Sequence, residues 1–579
     1  MLSPKYFIYL ATGPEDRFKL DLTANPRIDA FFLQQQGFDS FQMIRPPQPL
    51  WIVEKVLRTL TPTPQDKLVR RFQKLAVPLL KELSQGVRFT LDSLPISALA
   101  PDHFFEPPSL EPFFEGRCLL LTEIPELLRD SGQNPPWDPE DWLQYAYLEG
   151  KVRREAAVSL DRIGLPYCRR CGSSKQIYED DCFFCGNSHC LTCANCQSMG
   201  LAKSCIPLYS APGGSRRGNG TEIKPVLDFE LTPPQLRAAA RLVRFWEEEA
   251  GEFLVWAVCG AGKTEVSFGI IAKALTEGAR ILVAIPRKDV VQELLPRFER
   301  AFPEVPVVAL YGGGCNRGAA APLTIATTHQ CLRFYRCFDL IILDEGDAYP
   351  YQGSAMLQFA VRRALKPGGK LVIMTATPDN ALLSKMASGK LASVTIPARP
   401  HRKPLILPEL VKLELRLPAI PGSGWEPPPL VKQFLIDVRR NQRKALIFLP
   451  TIKLIEQIGP GLIQWAQSQG IRGCVIHSRI RDRELPKAGL LTGAMDFVIT
   501  STILERGITI PDLDVLVLAA ENETIFDLRT LVQIAGRAGR KGEPARVLFA
   551  AKLFTKAMRE SCRWIAQMNE EGYRLGYLD

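Results

Sequence analysis

The stretch FLVWAVCGAGKTE, Phe253 to Glu265, decides the fold. An apolar run stops at glycines, and Lys263 and Thr264 follow at once. This is a strand feeding a phosphate-binding turn. The glycines let backbone N–H groups curl round phosphate oxygens, Lys263 reaches the β- and γ-phosphates, and Thr264 offers a hydroxyl to Mg²⁺. Cys259, Gly260, Ala261, Gly262, Lys263, Thr264 and Glu265 are therefore the expected nucleotide contacts. Ala257 stands where the pattern usually opens with glycine.

Short β-rich runs alternate with helical stretches on both sides of this turn. FLVWAV, ILVAI, VPVVAL, LTIAT, LIILD and LVIMT form one set; ALIFL, CVIHS, FVITS, VLVLA and ARVLFA form a second, without a phosphate loop. Continuous apolar strands belong to a parallel sheet covered on both faces. The expected fold class is α/β, with two tandem parallel-sheet domains at 227–398 and 431–579. A proline-rich connector at 399–430 joins them. Upstream lie an α+β region at 1–135, a helix plus cysteine module at 136–209, and a Gly/Ser/Arg-rich linker at 210–226. The helix should open at Asp138, with Pro139 in its first turn and Trp142, Tyr145 and Ala146 on one face.

The chain has 579 residues and a net charge of +10, mildly basic and compatible with a phosphate-rich partner. Apolar residues make up 46%, enough for sizeable cores, but no run is long enough to span a bilayer. The N-terminus lacks the pattern of a secretory signal, and fifteen cysteines then point to metal binding in a reducing cytoplasm.

Eight of these cysteines are Cys168, Cys171, Cys182, Cys185, Cys190, Cys193, Cys196 and Cys205. Cys-x2-Cys turns place two thiolates on one tetrahedral ion, and four ligands close a structural Zn²⁺ shell. The spacing admits a sequential division into two sites. It equally admits an interleaved one that joins Cys168 and Cys171 to Cys193 and Cys196. His189 is expected to be a bystander. Arg169 and Arg170 permit phosphate contact, against a plainly solvated surface.

In LIILDEGDAYP, a buried strand ends in Asp344 and Glu345, about eighty residues past the phosphate loop. Asp344 is placed to hold Mg²⁺, and Glu345 to orient and deprotonate an attacking water. Gln235, in LTPPQ, is a candidate reader of the adenine edge. Thr375 and Thr377, in MTATP, are candidates to bridge the two domains. In QIAGRAGR, Gln533 precedes Arg537 and Arg540, which are three apart and expected on one helical face. There they would stabilise charge on the γ-phosphate as arginine fingers do.

These segments, with IPRKDVVQEL, IATTHQCLRFYRCFDLIILDEGDAYPY, FLPTI and ITSTILERGITIP, resemble those of superfamily-2 helicases, and within them the late-competence DNA translocase family ComFA. The resemblance runs from about Trp137 to the C-terminus, and the primosomal restart helicases are similar in the phosphate loop and the AGRAGR segment. It implies two RecA-like domains and an ATPase using ATP, Mg²⁺ and Zn²⁺. By carry-over, Lys263, Thr264, Asp344, Glu345, Gln533, Arg537 and Arg540 handle ATP. Pro286, Arg287, Thr327, Thr328, His329, Thr451, Thr500, Ser501 and Thr502 would track single-stranded DNA. The implied setting is the inner face of the cell membrane, beside a membrane DNA channel and other competence proteins, with homo-oligomers possible. A duplex-unwinding helicase of replication restart or repair is the alternative, and a zinc-dependent scaffold with a degenerate ATPase a third.

Overall fold

The computed structural model describes the chain except residues 1–3, 85, 101–110, 133–137, 162, 215–220, 315–317, 418–424, 481–483 and 503–509. Two parallel sheets dominate it. The first has seven strands in the order Val307–Leu310, Leu323–Thr327, Ile281–Ile285, Phe338–Leu343, Leu365–Thr375, Glu252–Ala257, Ala392–Ile396. The second has six, in the order Glu409–Lys412, Val547–Ala551, Leu513–Leu518, Lys444–Phe448, Phe497–Thr500, Gly473–Ile476. Because all strands of a sheet run one way, every loop leaving a strand end emerges at the same edge, where ligands of such sheets bind.

Strand alternation explains how the first lobe is packed. Phe253, Val255, Ile281, Val283 and Ile285 face a core capped by the helices Pro233–Glu247, Phe268–Thr276 and Lys288–Ala301. Leu254, Leu282, Ala284, Ile341 and Leu343 face the other way, into a core continuous with the cysteine module. Each Val, Leu, Ile or Phe among them stabilises the lobe by about 1.5–3 kcal/mol on burial. The module is thus mounted on one face of the nucleotide-binding sheet. At the contact, a Cβ added to Gly172 would lie 2.5 Å from the Phe359 ring, and Arg363 Nη1 donates to Arg169 O at 3.2 Å.

The helix expected at Asp138 is Pro139–Leu148. Asp138 accepts from Glu140 N at 3.0 Å, Trp142 and Ala146 are buried, and Tyr145 is half-buried against Phe32. Two particulars differ from the sequence expectation, and the N-terminal region is α+β as expected. Strand Cys118–Leu120 pairs with Pro207–Ser210, so one small sheet crosses the division expected near 135. The connector contributes Glu409–Lys412 as an edge strand beside Val547–Ala551, because its Val411 and Leu413 complete the second lobe's core. Residues 4–99 include an antiparallel sheet of Lys5–Gly13, Arg17–Thr23, Ser40–Arg45 and Thr90–Pro95, backed by helices Leu50–Leu60 and Gln65–Leu83.

A nucleotide cavity between two lobes

The phosphate loop follows strand Glu252–Ala257. Ala257 is the last residue of that strand, paired in parallel with Ile396, so its extended backbone needs no glycine. Gly260 and Gly262 do need to be glycine: both have positive φ, 81° and 76°. Helix Lys263–Val266 then starts, with Thr264 and Glu265 buried. A cavity of about 290 Å³ opens over this loop. Its walls include Cys259 to Glu265, Asp344 and Glu345 of the first lobe, and Gln533, Arg537 and Arg540 of the second.

Asp344 and Glu345 follow strand Phe338–Leu343. Burial raises the Asp344 carboxyl to about 6, opposed next by the charge of Lys263. Asp344 Oδ1 accepts from Glu345 N at 2.8 Å. Glu345 has φ 54°, a left-handed conformation rare for non-glycine residues and common where a side chain must be aimed. Gly346 leaves room for its neighbours: a Cβ there would lie 3.1 Å from Ile373 Cγ2.

The arginine pair does not lie on a helical face, as its spacing suggested. Helix Leu528–Ala535, capped by Asp527, stops before Gly536, and Arg537 and Arg540 sit in the turns that follow. The pair nevertheless lines the same cavity as Lys263. Gly536 permits this approach: a Cβ on it would lie 2.5 Å from Cys259 Cβ. Cys259 Sγ donates to Gln533 Oε1 at 3.0 Å, and Gln533 Nε2 donates to Asp347 Oδ2 at 3.3 Å. Thr377 Oγ1 donates to the same Asp347 oxygen at 2.7 Å. The MTATP hydroxyl therefore meets the second lobe through Asp347. Thr375 accepts from Thr377 N at 3.0 Å and stays within the first lobe.

Gln235 is not among the residues that line the cavity. Its Oε1 accepts from Thr232 N and Oγ1, closing the N-terminus of helix Pro233–Glu247, while Nε2 donates to Ala261 O at 2.9 Å. Both ends of the amide are used inside the chain, so in this arrangement it props the phosphate loop and presents nothing to an adenine. Sequence reasoning missed Glu293 and Arg297, which reach the cavity from helix Lys288–Ala301, with Arg297 paired to Glu265. It also missed Arg399. Helical spacing from Glu293 to Arg297 was the available signal for the first two.

The expected strand-gripping residues lie at the C-terminal edges of neighbouring strands in each lobe. Pro286 is buried just past Ile281–Ile285, and Arg287 is held by Asp289 at 2.9 Å. Thr327, Thr328 and Thr500 have buried side chains, so their hydroxyls offer no open surface. His329 is half-buried, which lowers its pKa by desolvation. Thr451 is exposed and caps helix Ile452–Ser468 by accepting from Leu454 N at 3.2 Å. Ser501 and Thr502 are partly exposed; the rest of ILERGIT lies outside the described residues.

The eight cysteines are all buried and form two sets: Cys168, Cys171, Cys193 and Cys196, and Cys182, Cys185, Cys190 and Cys205. The interleaved division is the one observed. Strands Ile177–Asp180 and Cys190–Cys193 pair antiparallel, Ile177 opposite Cys193 and Asp180 opposite Cys190. One hairpin thus delivers Cys193 to the first knuckle and Cys190 to the second. Sulfur pairs stand 3.8 Å (Cys168–Cys196), 3.6 Å (Cys171–Cys193) and 3.8 Å (Cys182–Cys205) apart. Thiolates about 2.3 Å from a tetrahedral zinc lie about 3.8 Å from one another. His189 is outside both sets, beside Glu179. Arg170 is no phosphate contact: it is buried against Glu123 at 2.8 Å, and Glu123 also holds Arg333 at 2.9 Å.

Comparison with known proteins fits this layout. Residues 104–210 match the Competence protein ComFA N-terminal domain, 228–380 the Type III restriction enzyme res subunit, and 428–542 the Helicase conserved C-terminal domain. Competence protein ComFA of Bacillus subtilis is 37% identical over 440 residues, covering 74% of this chain and 91% of that protein. The chain belongs to the ComFA family. ComFA of Streptococcus pneumoniae is 31% identical over 74% of this chain and 98% of its own length. Replication restart protein PriA of Rickettsia prowazekii is similar over a shorter span, 24% identical over 34% of this chain and 32% of its own. With its paired helicase domains, this ComFA relative is a DNA-dependent ATP hydrolase of the helicase and translocase class, linked to competence, and it works with ATP and a divalent metal. Among the described residues, no helix is long and apolar enough to cross a membrane.

Proposed function

We propose that the chain is an ATP-driven translocase that moves single-stranded DNA during uptake in natural transformation. One observation carries the reading: Lys263 of one lobe and Arg537 and Arg540 of the other line a single cavity. In this mechanism the loop amides and Lys263 hold the triphosphate, and Glu345 orients and deprotonates the attacking water. Arg537 and Arg540 stabilise charge developing on the transferred phosphoryl group. Thr264 and Asp344 are buried hard-oxygen donors in this cavity and fit Mg²⁺, which when bound neutralises phosphate charge. The two cysteine sets fit one structural Zn²⁺ each.

Hydrolysis followed by release of the phosphate removes the charge that draws the arginine turn to the lysine loop, so the lobes part and regrip. Arg287, His329, Thr451, Ser501 and Thr502 are the accessible groups at the strand ends of the two lobes, and they would contact the phosphates of the strand. Such contacts carry no base information, so binding should be independent of sequence and weakened by salt. The family relationship supports work at the inner face of the membrane, beside a DNA channel and other competence proteins.

ATPase activity titrated in parallel with single-stranded DNA, duplex DNA and RNA tests the reading. Stimulation by single-stranded DNA above the others is expected. Equal stimulation by all three overturns it, and efficient strand displacement would favour a restart-type helicase instead.

A further inference from the structure

Arg399 is among the largest fully buried side chains, yet it lies three residues past strand Ala392–Ile396 in a proline-rich stretch without a motif. Its guanidinium spans the two lobes. Nε donates to Cys259 O of the phosphate loop at 2.9 Å. Nη1 donates to Ala538 O at 2.8 Å and Gly539 O at 2.7 Å, and Nη2 to Gly536 O at 2.9 Å. Every acceptor is a neutral carbonyl, and among the described residues no carboxylate pairs with this cation.

A buried charge satisfied only by carbonyls is costly to hold unless an anion lies nearby. Here burial and the like charge of Arg540 both press on it, lowering its pKa to about 10. The acceptors flank the two arginines: Gly536 precedes Arg537, and Ala538 and Gly539 separate Arg537 from Arg540. Cys259 opens the loop that carries Lys263. While these bonds hold, the planar fork fixes the distance between the arginine turn and the lysine loop.

We propose that Arg399 is a positioning residue for phosphoryl transfer: it pins the Gly536–Arg540 turn to the phosphate loop and so sets the reach of Arg537 and Arg540 to the γ-phosphate. Arg399 does not line the cavity and acts through the turn and the loop that do. Glu543 opposes the Arg540 charge only in part; a triphosphate in the cavity adds negative charge beside Arg540 and favours the pinned state, and its loss restores the repulsion and favours release. The inference rests on the cavity being the ATP site.

The test compares wild type with Arg399→Lys, Arg399→Ala and Gly536→Ala. The last variant separates turn and loop while leaving the Arg399 side chain itself unchanged, since its Cβ would meet Cys259 Cβ at 2.5 Å. For each, zinc content and thermal unfolding report the fold, a fluorescent ATP analogue reports binding, and steady-state turnover gives kcat and KM. Displacing a catalytic group by about 1 Å costs about 10²-fold, so kcat should fall by that order in all three. Nucleotide affinity should stay within about threefold of wild type. Lysine keeps the charge but not the fork, so it should not rescue. The indole pair Trp256–Trp564, whose ring centroids lie 5.0 Å apart with both N–H groups on Ala376 O, reports lobe closure by fluorescence. Its response to the analogue should vanish in Arg399→Lys. Wild-type kcat in Arg399→Lys overturns the proposal, as does wild-type kcat in Gly536→Ala if the arginine variants unfold. Failure of wild type itself to bind or hydrolyse ATP would instead defeat the assignment of the cavity.

Discussion

The two parallel-sheet lobes share an architecture and differ in what their strand ends carry. In the first, Glu252–Ala257 and Phe338–Leu343 release a lysine, a threonine and two carboxylates. In the second, helix Leu528–Ala535 releases two arginines in an irregular turn. The first lobe alone presents the groups proposed to bind a triphosphate. The second presents two cations and the Gln533 amide. In the proposed mechanism hydrolysis needs both, so the distance between lobes becomes a chemical variable through which two similar halves would couple ATP to movement.

The hardest way to break the comparison is to disable each lobe in turn. Lys263→Ala and Arg540→Ala, on opposite walls of one cavity, should each lower DNA-stimulated turnover by about 10³-fold or more. The double variant should be scarcely worse than either, because the groups act as a unit. Additive losses in single-turnover assays would mean that they act at separate sites.

A second prediction concerns what holds the first lobe to its cysteine module. Glu123 is buried between Arg170 and Arg333. Glu123→Gln leaves two buried cations unpaired and should cost about 3–5 kcal/mol in chemical denaturation; a cost under about 1 kcal/mol would show the triad to be solvated.

The two cysteine sites sharpen the same point. The first set sits beside Gly172 and Arg169, which contact helix Ala355–Ala364, whereas the second borders a groove lined by residues of the N-terminal unit such as Trp51 and Arg58. Cys171→Ser and Cys185→Ser should each release one of two bound zinc ions. Only Cys171→Ser should reduce DNA-stimulated turnover by about tenfold or more. Equal effects would remove the distinction.

The smallest effect is on pH dependence. Burial raises the Asp344 carboxyl from 3.8 to about 6 in the nucleotide-free state. A carboxyl with a raised folded-state pKa contributes stability that is present below its ordinary value and lost as pH rises through about 6. The thermal midpoint of the nucleotide-free protein should therefore lose that contribution between pH 4 and 6, and Asp344→Asn should abolish this dependence. Activity runs the other way, since the carboxylate form holds the cation: kcat/KM should fall as pH drops through about 6.

Much of this was legible in the sequence because it is periodic or stereochemically forced. The apolar runs, the glycines at 260 and 262 and the acidic strand end had one physical reading each. What escaped depended on tertiary register. Cysteine spacing allows two divisions, and only the hairpin pairing Ile177 with Cys193 chooses between them. Arginines three apart read as helical, although the glycines at 536 and 539 marked a turn. Gln235 carries an amide suited to a base, but Thr232 and Ala261 occupy it. Thr327 and Thr328 have the right chemistry to grip a phosphate, yet their side chains turn inward. Arg399 had no local signal at all, because its partners are carbonyls far along the chain.

Turnover stimulated by single-stranded DNA, measured for Arg540→Ala alone and for Arg540→Ala mixed with Lys263→Ala, tests the central claim most directly. If one chain builds the whole site from its own two lobes, both samples stay inactive. Retained turnover in the single variant, or recovery in the mixture, would place the arginines outside the site or in a neighbouring chain.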